Sequence, residues 1–146
     1  MLALLLLLVA APVEDVIAHG GDLAGPPATS INKEGDEIAA YGFSEVPGDS
    51  RLQAAFALSD ANARAELVKY GRVRIKDSLK SVSTESSEKI ETRTQELAHG
   101  LVPHVALPEH GWRKLKRGNE VVLQVWSRIT LPQIRFDELL HGVIIK

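Results

Sequence analysis

Three kinds of hydrophobic spacing follow one another along the chain. Met1 to Ala11 is an unbroken apolar run that stops before Glu14 and Asp15. It is too short to span a bilayer and reads as the core of an export signal. Small residues suited to cleavage stand at Val9 and Ala11, where Pro12 follows awkwardly, and in a better arrangement at Val16 and Ala18. Residues 1–18 are therefore expected to be removed, leaving His19 as the mature start. The alternative is a buried amino-terminal strand or helix of a cytosolic protein. Residues 19–36, rich in Gly, Pro, Ser and Asp, have too little apolar surface to offset ordering entropy and predict a flexible tether.

Periodic segments begin at Glu37. Ile38–Phe43 predicts a short strand ended by Pro47-Gly48, and a helix over Arg51–Tyr70 follows. Ser50 and Gln53 suit a capping box, and Gly71 suits the left-handed position after the last turn. The helix carries two apolar stripes. Leu52, Phe56, Ala63, Leu67 and Tyr70 should lie on a sheet, while the small residues Ala54, Leu58, Ala61, Ala65 and Val68 invite a second helix, from this chain or a neighbouring subunit. Val73 and Ile75 then alternate with Arg72, Arg74 and Lys76, which predicts a strand. After the polar stretch Ser81–Glu88 a second helix is expected over Glu88–His99, capped by Ser87 and closed by Gly100. Two further strands, Leu101–Leu115 and Glu120–Thr130, are joined through Arg117-Gly118-Asn119, with Pro103 and Pro108 marking the first as an edge or bulged strand. The expectation is an α+β single domain over 37–130 in the order βαβαββ, with a mostly antiparallel sheet and two helices packed on one face. Residues 131–146 form an apolar tail with no evident partner.

Composition narrows the chemistry. With no cysteine, disulfides, thiolate nucleophiles and metal–sulfur sites are excluded, as is a cysteine-borne lipid. Residues 1–50 hold eight acids against Lys33 alone, whereas residues 51–146 hold 16 bases against 11 acids. Any polyanion contact would lie in the second part. There Arg72, Arg74 and Lys76, with Lys116 and Arg117, are candidates for binding an anion, and Lys69, Arg113 and Lys114 could lie near them. The competing reading is an ordinary solvated face balanced by Glu85, Glu88 and Glu91. No stacking aromatics interleave the bases, so nucleic acid is not an expected partner.

His99, His104 and His110 lack the fixed spacing and the supporting ligands of a metal site, so neither metal nor cofactor is expected. Trp112 and Trp126 fit hairpin packing better than a sugar platform. No Gly-x-Ser-x-Gly elbow, phosphate loop or His-Glu-x-x-His helix is present, and Asp60 with Arg64 has the spacing of a surface pair, so catalysis is not expected.

Ala40-Tyr41-Gly42, Ala61-Asn62-Ala63-Arg64-Ala65-Glu66-Leu67, Val73-Arg74-Ile75-Lys76, and Gly100-Leu101-Val102 followed by Trp112 resemble a known family. It is that of the small bacterial envelope lipoproteins named for the twenty-kilodalton Lpp antigen, similar in turn to the N-terminal domain of the flagellar assembly protein FlgT. The resemblance covers about Ile38 to Arg128, and the lipobox cysteine usual in the family is missing here. It implies a periplasmic or extracellular protein without enzymatic activity, acting through protein contacts in envelope assembly or motility. Partners are then other envelope proteins, or a second copy, through the helix Arg51 to Tyr70; membrane contact without a lipid anchor stays open. A binding module for an anionic envelope polymer such as lipopolysaccharide or peptidoglycan is the competing class.

Overall fold

The computed structural model describes residues 14–80 and 87–145; the apolar run Met1–Ala11 and residues 81–86 of the polar stretch lie outside them. Strands β1 (Glu14–Gly21), β2 (Ile31–Glu34) and β3 (Glu37–Pro47) are followed by helices α1 (Leu52–Lys80) and α2 (Ser87–Leu101). A single 3-10 turn (Val102–His104), strands β4 (Glu109–Arg117) and β5 (Glu120–Pro132) and helix α3 (Gln133–Ile144) complete the order. The strands form one antiparallel sheet in the order β1-β4-β5-β3-β2. The α+β class and the antiparallel sheet meet expectation. The element order does not: the described chain runs βββααββα, with three helices.

Two hairpins are encoded by glycine followed by a short polar residue. Gly35-Asp36 joins β2 to β3 and Gly118-Asn119 joins β4 to β5, with Gly35 and Gly118 at φ +62° and +63° and no non-glycine residue at positive φ among the described residues. That is the type II′ pattern, whose twist matches the strands it joins. The tether expected over residues 19–36 is corrected here. β1 pairs with β4 through the Ala18–His19 bond at which cleavage was expected, and β2 pairs with β3. Ladder hydrogen bonds satisfy backbone groups whatever the side chains, so a count of apolar residues does not register them. With β1 beside it, β4 is an interior strand rather than an edge, and both Pro103 and Pro108 precede it.

The second correction concerns α1, 29 residues that pass through Gly71 and through the expected strand at Arg72–Lys76. Ala55, Ser59, Ala63, Leu67, Gly71, Ile75 and Leu79 are all buried, one every four residues. At 100° per residue such a seam advances by about 40° at each step, so it winds from the sheet toward the other helices. Val73 is exposed and Ile75 buried because they sit on different sides of a helix, which copies a strand's alternation. Gly71 serves close packing instead of a cap: a β-carbon there would stand 2.3 Å from Leu97 Cδ2 of α2. Gly100 likewise lies within α2 and faces Leu139 of α3.

The main core joins Ile38, Ala40, Ile129 and Leu131 of the sheet to Leu67, Ile75, Leu97 and Phe136 of the helices. A smaller core gathers Ala55, Leu123 and Val125 with Leu52, Phe56 and Trp112. The apolar tail thus has its partner. Phe136 is fully buried with its ring 5.4 Å from that of Tyr70, a burial that stabilises by about 1.5–3 kcal/mol. Arg93 of α2 donates to the carbonyls of Val143 and Ile144, filling acceptors that the end of α3 leaves open and opposing its negative pole.

Candidate functional site

The structure does not gather the expected anion-binding residues. Arg72, Arg74 and Lys76 lie on the helix α1 rather than on a strand. Arg72 bonds Glu91 of α2 at 2.6 Å, and Arg74 lies 4.6 Å over the Tyr70 ring and donates to its hydroxyl. Lys116 and Arg117 stand at the hairpin end of β4, where Arg117 bonds Glu14 of β1 at 2.7 Å and Glu45 of β3 at 2.8 Å. The chain enters α1 near that end, and about 30 Å of helix separates Leu52 from Arg72, so the two groups are not one patch. His99 and His104 are exposed on α2 and the 3-10 turn, while His110 is bonded to Asp60. Among the described residues no group of three or more His, Cys, Asp or Glu could hold a metal. Trp112 pairs in register with Val125, which places it on the helix-facing side, and Trp126 therefore points to the other side, where it is 2% exposed.

Asp60 was expected to pair with Arg64 and instead anchors a polar cluster between α1 and the sheet. Its Oδ1 accepts from Ser127 Oγ at 2.6 Å and lies 2.7 Å from His110 Nε2. Ser127 Oγ is also 2.6 Å from Ser59 Oγ, and the His110 ring stacks on Phe56 at 4.2 Å. The proton of Ser127 is committed to Asp60, and the single proton of Ser59 is within reach of both the Phe56 carbonyl, at 3.1 Å, and the Ser127 oxygen. The carboxylate sits between hydroxyl and imidazole, whereas activation of a serine needs the imidazole in the middle. Both serines are fully buried. The cluster clamps α1 onto β4 and β5 and exposes no nucleophile.

The opposite face of the sheet carries an ion network across four strands. Arg128 of β5 donates to Glu34 of β2 at 2.5 Å and to Glu109 of β4, and the Tyr41 hydroxyl of β3 donates to Glu34 at 2.5 Å. The bonds from Tyr41 and then Arg128 hold Glu34 below the ordinary carboxylate range. Burial, and then the bond to Glu34, push the Tyr41 phenol up. Arg117 and then Gln124 hold Glu45 down in the same way.

An open surface lies where α1 crosses β3. Gly42 carries the crossing, since a β-carbon there would be 2.0 Å from the Ser59 carbonyl oxygen. On the β2 side of this contact α1 presents Ala54, Leu58, Ala61 and Ala65, all exposed, with Leu58 at 46%. The small-residue stripe therefore stays uncovered, because α2 packs further along α1 at Gly71. β2 pairs only with Glu37–Ala40, and one more bond, from Tyr41 N–H to the Ser30 carbonyl, follows. Phe43 beside them is 40% exposed. Between the strand edge, α1 and residues 27–30 runs a groove of about 520 Å³ lined by Pro27, Ser30, Gly42, Phe43, Asn62 and Ala65 among others. The sequence had signalled the helix stripe; the open strand edge escaped because the hairpin at Gly35-Asp36 was passed over. No helix of the described residues is long and apolar enough to cross a membrane. No family model, curated protein or solved structure matches the chain.

Proposed function

We propose that the chain is an exported, non-enzymatic cell-envelope protein that works by holding another protein against α1. The carrying observation is the uncovered row Ala54, Leu58, Ala61 and Ala65 on a long helix fixed rigidly to the sheet. A contiguous row of exposed apolar residues beside a groove suits a contact site. The apolar run Met1–Ala11 supports export, and the resemblance to the Lpp-antigen lipoproteins supports the envelope and an assembly role near the surface or the flagellum. Processing that keeps β1 whole lies ahead of Glu14, where Val9 and Ala11 offer small residues. The anionic-polymer reading has no comparable support, because its basic residues are separated and Arg72 and Arg117 are paired with carboxylates.

Cell fractionation followed by native electrophoresis tests this reading. The protein is expected outside the cytoplasm in a complex larger than the chain itself, and Leu58→Asp should release it while leaving its melting temperature unchanged. Recovery from the cytosol, or a complex indifferent to that substitution, contradicts it.

A further inference from the structure

Strand direction shows which backbone groups of β3 face outward. Gly48 N–H bonds the Val121 carbonyl, so even-numbered residues at this end of β3 address β5, and Tyr41 N–H bonds Ser30 on the other side. The odd-numbered residues Phe43 and Glu45 therefore turn their N–H and C=O groups toward the open edge. Asn62 Nδ2 of α1 donates to the Phe43 carbonyl at 2.9 Å. Among the described residues no bond fills the N–H of Phe43 or either backbone group of Glu45.

The vacancy has a cause in the sequence. In the register of the β2–β3 hairpin, Ser30 stands opposite Tyr41, so Thr29, Ala28, Pro27 and Pro26 would continue the strand along Gly42 to Glu45. Proline has no N–H to donate, so Pro26 cannot complete the pair opposite Glu45 and the ladder cannot run on along the edge. What remains is a strand edge with a groove beside it and α1 along the groove, the arrangement in which an extended peptide adds to a sheet.

We propose that the open edge of β3 from Phe43 to Pro47 accepts an extended segment of a partner protein as an added antiparallel strand. The proposal rests on the contact role given above and names its site and partner chemistry. Backbone bonds to Phe43 and Glu45 supply the pairing. Alternate side chains of the segment face Leu58 and Ala65 and should be apolar, while those on the other side lie along Phe43. Glu66 at the end of the groove favours a basic residue there. The Asn62 amide holds the Phe43 carbonyl until the segment displaces it, which keeps the edge from pairing with any passing strand.

The test is a titration of the full chain with a synthetic peptide of alternating threonine and valine ending in lysine, followed by amide resonances and hydrogen exchange. The amides of Phe43 and Glu45 should shift, and their exchange should slow by about tenfold or more at saturation. Phe43→Ala keeps the outward N–H and Phe43→Pro deletes it without touching the ladder to β5, so the proline variant should bind about tenfold more weakly than the alanine one. Independently of any variant, a peptide N-methylated on the edge that meets β3 should lose binding, and one methylated on its other edge should retain it. Absence of shifts at Phe43 and Glu45, or equal binding by both methylated peptides, overturns strand addition. The contact role itself fails by its own test, when the complex ignores Leu58→Asp, so the two failures are distinguishable.

Discussion

Gly42 is the residue on which the helix-to-sheet crossing depends. A methyl group there meets the backbone of α1, 2.0 Å from Ser59 O and 2.4 Å from Ala63 N, and backbone cannot swing aside as a side chain can. Gly42→Ala is expected to destabilise the chain by about 3 kcal/mol, read from denaturant unfolding. An effect within experimental error contradicts the close crossing. Glu34 belongs to the same scale. Its carboxylate is held below the ordinary range by Tyr41 and Arg128, so its contribution is complete above the unfolded value of about 4.3 and is lost as pH falls through the lower folded value. Unfolding free energy should stay level down to that region and then decline, with Glu45 adding to the slope. Glu34→Gln should lower the plateau and flatten the decline; a variant that runs parallel to the parent at every pH shows that the network adds nothing.

At the scale of elements, the legible parts were those whose side chains repeat at one period. β3, β5 and its turn to β4, and α1 as far as Tyr70 stand about where spacing put them, whereas the strand expected from Leu101 begins only at Glu109. α1 was cut short because Gly71, which is small to admit Leu97, reads as a helix end, and Val73 and Ile75 beyond it alternate as a strand would. β1 and β2 were hidden for another reason: edge strands are held by backbone bonds, and their exposed residues carry no pattern. Nor could spacing reveal the Asp60–His110–Ser127 cluster, since its members come from α1, β4 and β5. β1 also yields a test. A chain beginning at His19 loses the paired residues Glu14–Ala18 and the Glu14–Arg117 bond, so it should be about 2 kcal/mol less stable than one beginning at Glu14. Equal stability means that β1 is dispensable and that cleavage after Ala18 leaves the fold intact.

For the whole molecule, the sheet divides two environments. One face is packed by three helices, with most of the core along α1, and the other carries ion pairs that tie strands together, Arg117–Glu45 and Arg128–Glu34 each reaching across an intervening strand. Between them, at the β2 side of α1, an apolar helix row and an unpaired strand edge meet. A surface that combines open backbone groups with apolar side chains suits occupation by another chain. Site-specific photo-cross-linking in intact cells tests this claim most directly, with a photoreactive residue at position 58 or 65 compared with one at position 73 or 134. Discrete adducts from positions 58 and 65, and none from Val73 and Ile134, which are more exposed than Leu58, are the predicted result. Adducts of equal yield from all four positions, or from the distant pair alone, would contradict the account.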